Sequence, residues 1–423
     1  MLSRKSFEEL PVFIASMSRW DGETSSASLA LAKVMARTCP VYYIDFPYSY
    51  TDFWRERNKT SVVLRRQALL HGKNFLWTPE DLAEKMMIAT PRLVLPFYSF
   101  PSGSLFNLIS HHNNQVVTRL VQKIIREEGI KKYLFLNSFN PSYLSKIRAY
   151  LQPEFSIYQS RDVVDQLHQP SIDRENQCVK NYDLTIATSK QICRNLRRRT
   201  GRIAHYLPNG GDIDLFRTAV EKRFPRPVEL EAITTPIIGY TGAVCQRIDY
   251  TLVVKLAKAH PDKTIVFVGP RYDNNYTDMD LDNISNIVFI GAKKLDELPA
   301  YLQHFDCTII PFLCNDLTAG IYPLKINEYL AAGKPVVTSN FSEEIEAFEK
   351  CIYLTSSHED FIGAIDSAID SDSECKRKER LEASVENSWE NRLKAFRELA
   401  WAAYQEKSTH LNRQKSQFYA VVK

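Results

Sequence analysis

Short apolar runs recur through the first half of the chain, each ending in polar or glycine-containing residues: VFIAS (12–16), VYYID (41–45), LVLP (93–96), YLFLN (133–137) and LTIATS (184–189). None shows sustained alternation, and helical patterns at 25–38 and 115–129 lie between them. This combination predicts parallel strands covered on both faces, and hence an open α/β domain over residues 1–215. The segment EKRFPRPVELEAITTP (221–236) is charged, carries prolines and has no apolar period, which places a linker at 216–235. A second series follows over 236–377: PIIGYTG (236–242), a helix at 249–259, TIVFVGP (264–270), IVFIG (287–291), a helix at 295–304, CTIIPF (307–312), a helix at 324–332, PVVTS (335–339) and a strand near 352–355. Residues 378–423 read as a helical tail whose Trp389 and Trp401 pack back onto a domain. The fold class expected is α/β, two Rossmann-like parallel-sheet domains facing a central cleft, with ligands at the carboxyl ends of the strands.

A chain of 423 residues exceeds the usual single domain, and 44% hydrophobic with 25% charged residues suits sizeable cores. The opening MLSRKSFEELPVFIASMSRWDG sets polar and acidic residues before a short apolar run, unlike a secretory signal. No run reaches the roughly 18 apolar residues that would span a bilayer, so a cytoplasmic location is expected. The 8 cysteines are scattered without a CxxC pair, which argues against a disulfide framework or a structural zinc site. A net charge of +4 hides an asymmetry: residues 1–215 carry 29 Lys+Arg against 20 Asp+Glu, and residues 216–423 carry 25 against 30. The basic half suits an anionic membrane surface or a phosphate-bearing acceptor, and equally an ordinary solvated surface. Its densest patch, RNLRRRTGR (194–202), lacks interleaved aromatics, so no nucleic-acid partner is expected.

The sharper chemistry lies in the second half. PIIGYTG ends in Gly239 and Gly242, where a backbone stripped of side chains lets a ligand approach. VCQRID then opens a helix whose amino terminus offers N–H groups to phosphate, and Arg247 brings a planar fork suited to a diphosphate. The alternative is a tight strand–helix turn with a surface arginine. Gly269 ends TIVFVGP in the same manner and lines the same nucleotide pocket. In AGIYPLKINEYLAAGKPVVTSN (319–340), Gly320 and Pro323 shape a loop before a helix carrying Lys325 and Glu328 on neighbouring positions of one face. The N–H groups around Gly320–Leu324 with Lys325 make a receptor for a diphosphate, and Glu328 is placed to accept from two vicinal ribose hydroxyls. A surface Lys–Glu pair is the plain alternative.

The first half offers SRWDGETSSAS (18–28) as a polar loop over donor phosphates or acceptor. HHNNQ (111–115) reads as the approach to a helix, with His111 or His112 reaching a sugar, or else capping it. Asp162 stands at a helix start, as an N-cap or as an acceptor-orienting acid. ATSK (187–190) sets Ser189 as a helix cap, and Pro208, Asn209, Gly210, Gly211 and Asp212 form a turn series at the domain junction.

ATSK followed by LPNGGDIDLF, then IIGYTG with RID, FVGP and PLKINEYLAAGKPVV, in that order, resembles the GT-B glycosyltransferases of the retaining family-4 type used for bacterial cell-surface polysaccharides. The likeness covers 184–340 well and the first domain only in layout. It implies transfer from a nucleoside diphosphate sugar, commonly a UDP-sugar in that family, to an acceptor hydroxyl with retention; with Arg247, Lys325 and helix N–H groups to hold the charge, no cofactor or metal is expected. The acceptor expected is a glycan or a lipid-linked glycan; a lipid-linked one would fit the basic first half, and peripheral contact with anionic membrane follows only in that case. By the same likeness Glu328 is the ribose-binding acid, and Arg247 is the phosphate-binding base. Of the family's two glutamates eight positions apart, the first is replaced here by Gly320, with Asp316 nearby. The lysine usual a few positions after the arginine comes only at Lys255, so Lys325 supplies the second charge. His112 and Asp162 are the candidates for acceptor orientation. A non-catalytic sugar-nucleotide or glycan-binding protein and a GT-B-like nucleotide-sugar epimerase are the alternatives.

Overall fold

A computed structural model describes residues 2–421 except 23–25, 81–84, 98–102, 164–168 and 273–278. The chain divides into two compact units, one of residues 1–207 with 393–423, the other of 208–392.

In the first unit the strands are β1 (Val12–Ser16), β2 (Val41–Ile44), β3 (Leu76–Trp77), β4 (Met86–Ala89), β5 (Leu134–Ser138), β6 (Phe155–Ser160), β7 (Leu184–Ala187) and β8 (His205–Tyr206). They form one sheet in the order β3-β4-β2-β1-β5-β6-β7-β8, parallel except for β3. Every residue of β1, β2, β5, β6 and β7 is buried, as expected of strands covered on both faces. The expected strand at 93–96 is not one; Val94 makes only a single bridge to Ser49. The helix expected at 115–129 runs from Ser104 to Glu127, so HHNNQ lies inside it rather than before it.

The second unit holds β9 (Ile237–Thr241), β10 (Thr264–Val268), β11 (Ile287–Gly291), β12 (Cys307–Ile310), β13 (Val336–Ser339) and β14 (Tyr353–Thr355). All are parallel in the order β11-β10-β9-β12-β13-β14. This is the dinucleotide-fold order, whose switch point falls between β9 and β12. The helix Ile213–Glu221 belongs here, because its Ile213, Phe216 and Ala219 join the core around β9 and β12. The end of the expected first domain and the start of the expected linker are therefore part of the second unit. The expected tail is likewise split. Helix Glu374–Val385 belongs to the second unit, and most of helix Trp389–Val421 to the first. Trp389 is buried against Gly210, and Trp401 packs 5.5 Å from Phe7 between ring centres. Among the described residues no helix is long and apolar enough to cross a membrane.

Gly239, expected at the ligand, serves packing instead. A Cβ there would lie 1.9 Å from the Phe305 ring, so the glycine admits that ring against β9. Gly239→Ala is expected to destabilise the protein by about 3 kcal/mol through overpacking. Denaturant unfolding checks this; a loss below about 0.5 kcal/mol would contradict the packing role.

Candidate functional site

At the carboxyl ends of β9 and β10 two glycines meet. A Cβ on Gly269 would lie 2.0 Å from the Gly242 carbonyl oxygen, and Gly242 itself has φ +123°. A Cβ on Gly242 would lie 2.4 Å from Lys325 Cε and 2.7 Å from its Nζ. The glycines thus open the notch that the Lys325 side chain crosses. Its ammonium stands 5.3 Å from the centre of the Tyr240 ring and 5.7 Å from that of Phe312, within cation–π range.

Lys325 and Glu328 ride on the helix Leu324–Ala331. Pro323 precedes it without a side-chain cap, and Ile326, Tyr329 and Leu330 bury its other face. The Tyr329 hydroxyl accepts from the Thr241 N–H at 2.8 Å, which ties the helix to the end of β9. Gly333, at φ +68°, ends the helix.

The helix expected at VCQRID starts later, at Tyr250, with Asp249 accepting from the Leu252 N–H as its cap. Residues 243–249 form a loop stitched to neighbouring strand ends. The Val244 N–H donates to the Pro270 carbonyl at 2.9 Å, and the Leu313 N–H to the Arg247 carbonyl at 2.8 Å. Arg247 is therefore presented by a fixed loop and not by a helix terminus.

Lys325 senses both Glu328 and Arg247. Burial pushes the Glu328 carboxyl up to about 7; Lys325 opposes the shift and Asp212 adds to it. Burial lowers the Lys325 ammonium, Glu328 raises it, and the like charge of Arg247 lowers it further. All three side chains keep some exposed surface. Among the described residues none of the three has a side-chain hydrogen bond or an ion pair. Two cations and a carboxylate converging without satisfying each other suit a ligand carrying both negative phosphates and hydroxyl donors.

Gly320 is buried and closes the short helix Asp316–Ala319, while Asp316 is exposed at its other end. Leu324 is the first residue of the next helix. Two participants went unread in this role. Asp212 caps the helix Ile213–Glu221 and also acts on Glu328. Asn327 is fully buried, accepts from the Tyr322 hydroxyl at 3.1 Å, and would be 2.8 Å from a Cβ on Gly211. The glycine pair in PNGG was the only signal of that close approach.

In the first unit His112 is exposed in mid-helix, not at a helix start. His111 shares a hydrogen bond with the Tyr150 hydroxyl at 3.0 Å. Asp162 is exposed, and its neighbour Arg161 carries the buried chemistry instead. Arg161 Nε donates to Ser138 Oγ at 3.0 Å and Nη2 to Gln159 Oε1 at 2.7 Å; burial holds its guanidinium down to about 10. Of SRWDGETSSAS, residues 23–25 lie outside the described residues. Its Asp21 accepts both terminal nitrogens of Arg65 at 2.8 and 2.7 Å, and Arg65 Nε donates to buried Asp45 at 2.8 Å. This loop is held by a buried ion pair.

Residues 235–371 match the family model described as Glycosyl transferases group 1. The chain is 28% identical over 169 residues to the putative teichuronic acid biosynthesis glycosyltransferase TuaH of Bacillus subtilis (strain 168). That match covers 39% of this chain and 42% of the relative, so it spans less than half the length of either. The α,α-trehalose 6-phosphate synthase of Burkholderia multivorans superimposes with a TM-score of 0.67 at 10% identity, over 95% of this chain and 99% of that one. Anabaena Alr3699/HepE, solved in complex with UDP and glucose, gives a TM-score of 0.53 at 15% identity over 95% and 99%. Likenesses at such identities speak to the fold, which is GT-B.

Proposed function

We propose that the chain transfers a sugar from a nucleoside diphosphate sugar to an acceptor hydroxyl, with retention, in the synthesis of a surface polysaccharide or glycolipid. The observation that carries this reading is the convergence of Lys325, Arg247 and Glu328 on the Gly242–Gly269 notch at the switch point of a dinucleotide-type sheet. The domain match and the likeness to TuaH support the reaction class and the surface-polysaccharide role. The UDP held by the Anabaena protein favours uracil as the base.

In this reading Glu328, once ionised, accepts from the ribose hydroxyls. Lys325 and Arg247 face the diphosphate, whose negative charge grows as the glycosidic bond breaks. Fixed cations beside that charge stabilise the transition state more than the ground state. Side chains supply the positive charge, so the reaction proceeds without a divalent ion. Gly320, standing where the family's first acid would be, leaves the hexose to backbone groups of the 320–324 segment. A lipid-linked acceptor at an anionic membrane surface fits the basic first half.

Calorimetric titration with UDP, GDP, ADP and dTDP, without metal, tests the donor site. UDP is expected to bind most tightly, and Arg247→Ala to weaken it about tenfold, the worth of one charge-assisted contact. A folded protein that binds no nucleotide would end the proposal. UDP binding with no turnover of any UDP-sugar over an acceptor panel would move the non-catalytic alternative forward; acceptor-independent isomerisation of the donor would favour the epimerase.

A further inference from the structure

The first unit holds a cavity of about 430 Å³ between the last turn of the helix Thr60–His71, one face of the helix Ser104–Glu127 and the segment leaving β4. Arg92, Arg119 and Lys123 line it together with His71 and His112, and among the described residues no aspartate or glutamate lines it. Two of the cations are held in place by backbone carbonyls. Arg92 Nη2 donates to the Leu70 carbonyl at 3.1 Å, and Lys123 Nζ to the Gly72 carbonyl at 3.2 Å. The Lys123 ammonium also lies 3.9 Å from the centre of the Phe75 ring.

A structural role at the helix end accounts for part of this. Both carbonyls belong to the end of the helix Thr60–His71 or the residue just past it, and cations there answer its dipole. That dipole end is worth only about half a negative charge, against three cationic side chains. The nearest carboxylate partner, Glu127, stands 3.9 Å from Lys123 and is half-exposed, which makes it a weak one. The cavity therefore keeps a net positive potential.

Its other walls are apolar: Leu69, Leu93, Val116 and Leu120. The stripe of Val116 and His112 continues toward the start of its helix through Leu108 and Leu105, spaced for one face, and these are 66% and 57% exposed. Tyr50, which also lines the cavity, is 54% exposed. An inorganic anion has no use for this apolar track, and a neutral apolar ligand gains nothing from three cations.

We propose that the cavity binds a phosphorylated amphiphile, its phosphoryl group among Arg92, Arg119 and Lys123 and its alkyl segment along Leu108 and Leu105. This stands apart from the donor reading, which concerns the other unit. The test is calorimetric titration of the full chain with octyl phosphate below its micellar concentration, and with octyl glucoside and inorganic phosphate in parallel. Octyl phosphate is expected to bind roughly tenfold or more tightly than either single-feature probe. The Arg119→Gln/Lys123→Gln variant is expected to lose at least that factor while its melting temperature and UDP titration match the parent. Leu108→Ser is expected to weaken octyl phosphate and leave inorganic phosphate unchanged. The proposal is overturned if the double variant binds octyl phosphate as the parent does, or if inorganic phosphate binds the parent as tightly as octyl phosphate. UDP binding serves as an independent readout, so a failed donor site and a failed amphiphile site give different patterns.

Discussion

Replacing Lys325 with glutamine is expected to lower turnover by about a hundredfold or more, with a far smaller change in donor affinity. The side chain crosses a notch cleared by Gly242 and is steadied by the Tyr240 and Phe312 rings, so in the proposed reaction its charge is in place before the diphosphate departs. Removing one preorganised group of this kind typically costs about 10²–10³ in kcat. Because the charge on the leaving oxygen is largest in the transition state, kcat falls more than KM rises. Glutamine fills most of the same volume, so the ring contacts persist. Stability is expected to change little, since relief of burial and of the Arg247 repulsion offsets the lost Glu328 attraction and cation–π contacts. Steady-state kinetics with the preferred donor, beside a thermal melt, decides the matter. A variant within about threefold of the parent kcat would remove Lys325 from the transition state.

The second unit was legible because its signals are local. A parallel strand buried on both faces, such as β10, is a short unbroken apolar run, and its end is marked by a glycine whose reason is close backbone approach. Sequence could not separate Gly242 from Gly239, however. Both belong to the same apolar run, and only the fold shows that Gly239 lies inside β9 against the Phe305 ring while Gly242 follows the strand and faces Lys325.

The first unit was harder, for a physical reason. β6, FSIYQS, mixes polar with apolar residues, yet all six are buried. Its polar groups are paid for by tertiary bonds: Ser156 Oγ donates to Asp183 at 2.9 Å, and Gln159 Oε1 accepts from both Ser138 and Arg161. Missing that strand meant choosing Asp162 over Arg161. The polar HHNN similarly looked like a helix boundary. In the fold Asn113 accepts from the Leu95 N–H at 2.9 Å and Asn114 from the Leu144 N–H at 2.7 Å, so both asparagines are buried in mid-helix. Partners 18 and 30 residues away leave no periodic trace.

Glu328 carries the other large effect, one that appears with opposite sign in two measurements. Its carboxyl, raised from an ordinary 4.5 to about 7, is part protonated and part ionised near neutrality. In the proposed donor site only the ionised form would accept from both ribose hydroxyls, so affinity for the donor sugar is expected to rise about tenfold between about pH 6 and about pH 8. A nucleoside diphosphate sugar has no phosphate titrating in that window, which leaves the slope to the protein. Stability runs the other way. A group whose folded value lies above its unfolded value holds a proton that the unfolded chain releases. Its contribution is therefore full below 4.5 and is lost as the pH rises through about 7. Glu328→Gln is expected to flatten both curves and, at about pH 8, to bind the donor roughly tenfold more weakly. Calorimetric affinities and melting temperatures of the two proteins across that range give the answer. A parent affinity independent of pH, or a glutamine variant that keeps the parent's slope, would mean that the carboxylate does not hold the ribose.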